Sequence, residues 1–226
     1  MRVLAVVPAR SGSRGLPNKN IRILKGRPLL DYAVRPALDC KKIDRVVVST
    51  DSEEYAEIAR GLGADVPFLR PPPLGEDVPT EDVLLHVLDE MRKMGRRYDI
   101  IVTLQCTTPF LKSEEIETLV SVINQYFDCS ATVCEASEKP EWMFTRSEFG
   151  ELSNIMNVDL KGDVGVRQSL PVRYRLNGAG YASKVEHLIR RKQIIMGKCF
   201  GLVMSKERSV DIDSELDFKI VEMLMS

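Results

Sequence analysis

The sequence predicts an α/β fold in which helices cover both faces of a mostly parallel sheet. Short apolar runs rich in Val and Ile alternate along the chain with longer segments whose apolar residues recur at helical spacing. This alternation repeats five times before residue 136, and such an order is typical of parallel sheets. Right-handed crossovers would then place the loops that follow the strands at one edge of the sheet.

Each predicted strand is a short run of β-branched and other apolar residues bounded by polar residues, Gly or Pro. The run at residues 3–7 contains no polar residue, and the run at 45–49 has polar residues only at its two ends, which indicates strands buried on both faces. The predicted strands span residues 3–7, 45–49, 65–69, 99–105, 129–135, 180–183 and 200–204, with a short extended piece at 21–24.

Helices are predicted where apolar residues recur three or four positions apart. Residues 50–52, Thr80 and Ser113 are predicted to cap helices, because hydroxyl and carboxylate oxygens accept from the first amides. Pro36 predicts a kink in the first helix, and the prolines at 71–73 predict an extended loop. The predicted helices span about residues 28–40, 53–62, 81–94, 113–127, 185–191 and 214–225.

Residues 137–176 interrupt this pattern, because their periodicity is weak and their aromatic residues are scattered. An irregular segment of about 40 residues is uncommon inside a compact domain unless it has a function. We interpret it as a lobe, inserted between the two parts of a core at 1–136 and 177–226, that packs on a second subunit. The alternative is a poorly ordered surface loop.

Charge, length and cysteine content exclude several classes of protein. The chain has 226 residues, and its 32 basic and 33 acidic residues give a net charge of −1, which argues against a nucleic-acid or polybasic membrane surface. No run approaches the ~20 apolar residues of a membrane span. Five cysteines without a C-x-x-C pair predict reduced thiols rather than zinc or disulfides. We therefore expect a cytoplasmic protein that needs no membrane.

The loop after the first strand has the composition of a phosphate site. It contains Arg10, Arg14 and Lys19 together with Gly12 and Gly15. Gly allows backbone amides to converge on an anion, and the basic side chains supply the charge that a triphosphate needs. The loop matches neither the P-loop nor the dinucleotide fingerprint. A solvated basic loop is the alternative interpretation.

Near the C-terminus, Asp211 and Asp213 are separated by a single apolar residue. On an extended segment the two carboxylates point the same way and could share Mg²⁺, which usually takes one or two carboxylates and leaves its other positions to water and phosphates. The alternative is that Asp213 or Ser214 caps the last helix while Asp211 is solvated.

Further polar residues could contact a polyhydroxylated acid. Gln105 ends the fourth predicted strand, where it could bind a ligand or the loop backbone. Arg167, Arg173 and Arg175 lie close together in the sequence, and Arg is the natural partner of a carboxylate or phosphate. Three exposed arginines without a ligand are the alternative.

The chain resembles the CMP-sialic acid synthetases (acylneuraminate cytidylyltransferases) along nearly its full length. The resemblance implies a three-layer, Rossmann-like nucleotidyltransferase core of the nucleotide-diphospho-sugar transferase (GT-A-like) type, in a homodimer whose lobes help to cover the partner's sugar site. It implies that CTP and a nonulosonic acid give a CMP-sugar and pyrophosphate. Six motifs carry it, in order: PARSGSRGLPNKNI, VVSTDSEEYAEIA, LRPPPLGED, LQCTTPF, RQSLPVRYRLNGAGY and SVDIDSELD.

The resemblance also implies roles by motif position. The residues expected to hold the nucleotide are Arg10, Ser13, Arg14, Lys19, Asn20 and, near the cytosine, Arg70. Those expected to face the sugar acid are Gln105, Arg167, Arg175, Asn177 and Tyr181. Asp211 and Asp213 would hold Mg²⁺, with Asp211 a candidate base, and Arg10 and Lys19 would stabilise the departing pyrophosphate.

Two departures leave the identity of the acid open. Cys106 stands where the family usually has Pro, and Leu176 stands where Pro often precedes Asn-Gly. The Asn-Gly-x-x-Tyr run is more similar to neuraminate- and legionaminate-type enzymes than to pseudaminate-type ones. The alternatives are a cytidylyltransferase for a pseudaminate or 3-deoxy-manno-octulosonate (KDO) type of acid and a non-catalytic nucleotide-binding module. A GT-A glycosyltransferase would carry its D-x-D motif mid-chain.

Overall fold

A central sheet with helices on both faces organises the protein, as predicted. The computed structural model describes residues 1–13, 15–75, 78–123 and 126–225, with only the backbone at 163, 164 and 167. The strands in these ranges are β1 Val3–Pro8, β2 Ile23–Leu24, β3 Arg27–Pro28, β4 Arg45–Ser49, β5 Ile100–Leu104, β6 Cys129–Glu135, β7 Phe144–Arg146, β8 Leu152–Asn154, β9 Tyr174–Lys184 and β10 Cys199–Val203. The α-helices are α1 Asp31–Asp39, α2 Glu53–Gly61, α3 Pro72–Gly75, α4 Thr80–Lys93, α5 Ser113–Ser121, α6 Val185–Arg191 and α7 Glu215–Leu224.

The central sheet has the strand order β10-β6-β9-β5-β1-β4. β1 is parallel to β4 and β5, and β10 is parallel to β6. β9 is antiparallel to both of its neighbours, β5 and β6. The sheet therefore consists of two parallel groups, β5-β1-β4 and β10-β6, which are joined by the antiparallel strand β9. The loops that follow most of the parallel strands lie at the same edge of the sheet.

Alternating side chains of β1 divide the core into two layers. Val3, Ala5 and Val7 pack into a cluster with apolar residues of α1, α2, α5 and α7. Leu4 and Val6 pack on the other face, against residues of α4 and Leu188 of α6. All five are almost completely buried, as expected for a strand covered by helices on both faces.

Three of the predicted elements are wrong. Residues 65–69 form no strand, because only Asp65 bridges to Val47 and Pro67 lacks the amide that a ladder needs. The loop predicted as extended contains α3, which begins at Pro72, where a helix does not need the missing amide. The helix predicted to reach residue 127 ends at Ser121.

Other elements differ only at their ends. α1 begins at Asp31 rather than residue 28 and contains Pro36 within it. Thr80 and Ser113 are the first residues of their helices, whose caps are Pro79 and Lys112. Ser52 caps α2 as predicted, with its side chain accepting from the amide of Tyr55.

β9 is the largest addition to the predicted core. Only residues 180–183 were expected to be extended, whereas the strand covers Tyr174–Lys184 and so includes the last residues of the predicted lobe. β7 and β8 pair with each other outside the central sheet. The division into core and lobe stays a prediction. None of the helices in the described ranges is long and apolar enough to cross a membrane.

Candidate active site

A cavity of about 440 Å³ lies at the carboxyl ends of β1 and β5. Backbone hydrogen bonds hold its loops together: the amide of Ala9 donates to Ser49 at 2.9 Å, and that of Arg70 donates to Thr50 at 2.7 Å. The loops after β1, β4 and β5 therefore meet here, where α/β sheets bind ligands. The cavity is lined by Pro8, Arg10, Ser13, Gly15, Lys19, Asn20, Arg70, Val78, Thr80, Val83, Gln105, Cys106, Thr107 and Asp213.

The first loop is held in shape by two side chains. The carboxylate of Asp51 accepts from the amide of Ser11 at 2.9 Å and from its hydroxyl at 2.8 Å. The side-chain amide of Asn20, which is buried, donates to the carbonyl of Arg10 at 3.0 Å. These bonds hold Ser11 and the carbonyl of Arg10 in place, so a phosphate would meet backbone groups that are already positioned there.

This loop also touches the segment that carries Asp211 and Asp213. A Cβ added to Gly15 would lie 2.5 Å from the carbonyl oxygen of Asp213, so the close approach requires glycine. Nζ of Lys19 donates to the carbonyl of Ile212 at 2.7 Å and to Oδ1 of Asp213 at 2.9 Å. The basic loop and Asp213 thus face one cavity, although almost 200 residues separate them in the sequence.

Arg70 is a buried cation, only 5 % exposed. Its guanidinium donates to the hydroxyl and carbonyl of Ser49 and to the carbonyl of Leu74. Burial lowers the pKa of Arg70 to about 10, and Asp51 acts in the opposite direction. Because its bonded partners in the described residues are neutral, an electronegative ligand in the cavity would stabilise its charge.

Asp211 is the most unusual acid of the site. Its Oδ1 is buried and accepts no hydrogen bond from the described residues. Burial raises the pKa of Asp211, as does the charge of Asp213, whereas the Thr107 hydroxyl and the Lys19 ammonium lower it. A carboxylate held in this way gains from a cation or a proton.

Gly178 lies close to oxygen atoms of Thr108, Asp211 and Gln105. A Cβ at this position would lie 3.5 Å from Oγ1 of Thr108, 3.6 Å from Oδ2 of Asp211 and 3.8 Å from Oε1 of Gln105. Gly178 has a φ of +83°, which disfavours a side chain. Of these three oxygens, Oγ1 of Thr108 is the one that is buried without a hydrogen-bond partner in the described residues.

The carboxylates of Asp211 and Asp213 are ligands of the kind that a hard divalent cation binds. They would be only part of its coordination shell. The described residues contain no group of three or more His, Cys, Asp or Glu side chains that could hold a metal ion. Asp211 and Asp213 would supply two carboxylates, and water and substrate phosphates would complete the coordination. Such a donor set is the usual one for Mg²⁺.

A second cavity of about 350 Å³ shares Gln105 with the first. Its apolar walls consist of Tyr181 of β9, Leu176, Ile194 and Ile195. Its polar groups come from Glu81 and Gln193. Burial raises the pKa of the Tyr181 phenol, and the charge of Asp211 acts in the same direction. The mixed lining suits a ligand that carries both apolar and polar substituents.

The remaining predicted residues lie at different depths. The Asn177 amide is buried beneath the site, where it donates to the hydroxyl of Ser209 at 2.9 Å and to Sδ of Met204 at 3.3 Å. The guanidinium of Arg175 donates to the carbonyl of Ser209 at 3.2 Å. Their contacts with a sugar stay predictions. Arg14 and the side chain of Arg167 lie outside the described residues.

Several residues that build the site were not predicted. Asp51 orders the first loop, Ser49 holds Arg70, and Ser209 holds Asn177. Thr107 anchors the segment that carries Asp211 and Asp213, because its carbonyl accepts from the amide of Ile212 at 2.9 Å. Ser49 ends the buried strand β4 and Asp51 follows it, which is a signal that could have found them. Ser209 carries no such signal.

Comparison with known proteins identifies the family of this chain. The family model described as cytidylyltransferase matches residues 4–178. The CMP-N,N'-diacetyllegionaminic acid synthase of Legionella pneumophila is 34% identical over 229 residues, covering 100% of this chain and 97% of the relative. The N-acylneuraminate cytidylyltransferase of Escherichia coli is 32% identical over 222 residues, covering 97% of this chain. The chain spans only 51% of that relative's length.

The solved structures support the fold. The CMP:2-keto-3-deoxy-manno-octonic acid synthetase complexed with CTP superposes with a TM-score of 0.73 at 18% identity, covering 100% of this chain and 98% of that one. At this identity the likeness shows the fold alone. Together with the family match and the relatives above, it confirms the resemblance on which the expectations rest. The chain therefore belongs to the cytidylyltransferase family, among the CMP-sialic acid synthetases.

Proposed function

We propose that the protein transfers CMP from CTP to the anomeric hydroxyl of an N-acylated nonulosonic acid and releases pyrophosphate. The observation that carries this proposal is the juxtaposition of the basic first loop, the carboxylates Asp211 and Asp213, and a second cavity that begins at Gln105. An in-line displacement at phosphorus needs positioned reactants and neutralised charge more than a covalent intermediate. This arrangement offers both.

The first cavity is the proposed CTP site. Arg10, Ser13 and Lys19 line it beside the backbone of the ordered loop, and they would bind the β- and γ-phosphates. Arg70 would donate to the cytosine ring from the opposite wall. During the reaction, the ammonium of Lys19 would leave Asp213 for the departing pyrophosphate, whose charge is the greater.

Mg²⁺ is the proposed cofactor, held by Asp211 and Asp213. When bound, the ion would neutralise the α-phosphate and lower the pKa of the attacking hydroxyl. Its binding would also satisfy the buried Oδ1 of Asp211. Asp211 is the candidate proton acceptor, because its Oδ2 lies near Gly178, as does Oε1 of Gln105, a residue that lines both cavities.

The second cavity is the proposed site for the sugar acid. Leu176, Ile194 and Ile195 supply an apolar wall that an acyl methyl group would cover, whereas Gln105 and Tyr181 can donate to hydroxyl or amide oxygens. Arg175 would pair with the substrate carboxylate. An apolar wall favours an N-acylated acid over KDO, which carries no acyl group.

We further propose that the protein is a homodimer formed through the lobe (residues 137–176). Phe149 is 98% exposed, an unusual state for a large aromatic side chain. Several neighbours on the lobe are also exposed, and such a patch is typical of an interface: Met143, Phe144, Leu152, Ile155 and Met156. Light scattering after size-exclusion chromatography tests this, with Phe149→Asp and Leu152→Asp as interface variants and Met94→Asp as the exposed control outside the lobe.

The activity is tested by pyrophosphate release from CTP and Mg²⁺ with a panel of acids. We expect release with N-acetylneuraminate or N,N'-diacetyllegionaminate, and none without acid. Pseudaminate and KDO test the alternatives, because a preference for either would reassign the substrate. Chelation of Mg²⁺ should stop the reaction.

Two variants separate catalysis from binding. Asp211→Asn should bind CTP in the absence of metal but release no pyrophosphate, whereas Glu57→Gln, an exposed change on α2, should behave as the wild type. Measurable CTP binding without turnover of any acid by the wild type would contradict the proposed reaction. It would favour the nucleotide-binding module instead.

A further inference from the structure

A pair of cysteines lies at the edge of the sheet opposite to the candidate active site. Cys129 is the first residue of β6 and Cys199 is the first residue of β10, and the two are direct partners in the parallel register. Register partners on neighbouring strands lie about 4.8 Å apart and project from the same face. A disulfide spans Cα atoms roughly 4.4–6.8 Å apart, so this pair lies within bonding range.

The residues before the two cysteines hold the strand ends together. The amide of Asp128 donates to the carbonyl of Lys198 at 2.9 Å, and the amide of Lys198 donates to Oδ2 of Asp128 at 3.4 Å. A Cβ at Gly197 would lie 2.6 Å from the same carboxylate oxygen, so glycine permits the approach. The backbone of both strands thus fixes the spacing of the Cα atoms of Cys129 and Cys199.

The two thiols are close enough to affect each other's ionisation. Cys199 lowers the pKa of Cys129 to about 7, and Cys129 together with burial raises that of Cys199. Sγ of Cys129 also lies 3.3 Å from the carbonyl oxygen of Met196. A thiol whose pKa is near neutrality has a substantial thiolate fraction at physiological pH.

Access to the pair runs through Cys199. Cys129 is buried, whereas Cys199 is partly exposed on β10, the outer strand of the sheet. The other three cysteines, Cys40, Cys106 and Cys134, are buried. A small reagent would therefore meet Cys199 first, with Cys129 behind it as the resolving thiol.

We propose that Cys129 and Cys199 form a reversible dithiol–disulfide site that reacts with small-molecule disulfides. Cys129, ionised by loss of its proton to water, takes the proton of Cys199, and the Cys199 thiolate attacks one sulfur of the external disulfide while the other sulfur leaves as a thiolate. Cys129 again loses its proton to water, attacks the Cys199 sulfur and expels the second external thiolate. The two departing thiolates take up the two protons that the protein lost, so the protein dithiol is oxidised and one external disulfide is reduced to two thiols.

The bond would be labile rather than permanent. In-register partners of a parallel sheet hold their Cβ atoms slightly farther apart than the roughly 3.5–4.5 Å that a disulfide prefers. Strained and accessible disulfides are the more easily reduced. The link would join β10 to β6 covalently, and β10 leads directly into the chain that carries Asp211 and Asp213.

The test is oxidation of the folded, full-length protein with oxidised glutathione, followed by intact-mass and non-reducing peptide mapping. We expect each chain to lose two hydrogen atoms, one linked peptide pair containing Cys129 and Cys199, and full reversal by dithiothreitol. Cys199→Ser should remove the link. Cys134→Ser changes a buried cysteine on β6, the strand of Cys129, and should retain the link.

Two results would overturn the proposal. One is a stable glutathione adduct on Cys199 with no internal link. The other is a pair of thiols that both remain open to alkylation after oxidation. Should Cys199→Ser fail to fold, Cys199→Ala serves the same comparison, and mapping of the wild-type protein alone still decides the outcome.

Discussion

Replacement of Asp211 by Asn separates the demands of folding from those of catalysis. In the absence of metal, the ionised carboxylate is partly buried, its Oδ1 lacks a hydrogen bond from the described residues, and Asp213 adds a repulsive charge. An unsatisfied buried polar atom costs roughly 1–3 kcal/mol. The neutral amide of Asn removes the charge and keeps an oxygen that can accept from the Thr107 hydroxyl. We expect Asp211→Asn to stabilise the metal-free protein.

The size and pH dependence of the effect follow from the raised pKa of Asp211. A gain of about 1 kcal/mol would raise the melting temperature of a chain of this length by roughly 2–4 °C. Because the folded pKa lies above the unfolded one, ionisation costs stability as the pH rises through the folded pKa. The advantage of the Asn variant should therefore be full at pH 8 and shrink as the pH falls towards about 4.

Thermal unfolding at pH 8 and pH 4.5, with and without Mg²⁺ and CTP, measures this directly. Mg²⁺ together with CTP should stabilise the wild type more than the variant, which lacks one carboxylate for the ion, so the order of the two melting temperatures should reverse. Asp213→Asn is the matched control, because that carboxylate is exposed and already paired with Lys19, so its loss should hardly alter the metal-free melting temperature. A metal-free Asp211→Asn protein that melts below the wild type at pH 8 would refute the reasoning.

Three further substitutions test the supports of the site. Arg70→Gln should raise the KM for CTP at least about tenfold, since a charge-assisted bond contributes roughly 1.5–3 kcal/mol; an unchanged KM in initial-rate assays would remove Arg70 from the nucleotide site. Asp51→Asn should weaken CTP binding in calorimetry by loosening Ser11 while the melting temperature stays close to that of the wild type, and wild-type affinity would contradict this. Ser209→Ala should lower the free energy of unfolding in urea by roughly 1–3 kcal/mol, because Asn177 loses its hydroxyl partner, and an unaltered midpoint would show that the bond is dispensable.

The sequence predicted the parallel strands well because their apolar runs have only one stable location, the centre of a sheet covered on both faces. It did not predict the full length of β9. Arg175, Leu176 and Gly178 interrupt any simple alternation, and the pairing with β6 shifts register between Ala131 and Val133. Such a strand is stabilised by its two neighbours rather than by its own pattern.

The candidate site was predictable where a residue's chemistry is unusual for its location. Basic side chains beside glycines suit a phosphate, and paired aspartates suit a divalent cation. Lys19 and Asp213 therefore stood out in the sequence, and the structure brings them into contact. Asp51 and Ser209 act through other protein groups. Their residue types are common in loops, so only the tertiary contacts reveal what they do.

The antiparallel strand β9 has a consequence for how the chain folds during synthesis. β6 follows β5 directly along the chain among the strands of the central sheet. The two strands do not pair with each other, because β9 lies between them in the sheet. Until residue 184 has left the ribosome, the inner edges of both strands remain unpaired, and exposed edges of this kind promote aggregation. Nascent chains of intermediate length should therefore be the species that chaperones bind, and pairing across such long sequence separations should make closure of the sheet slow.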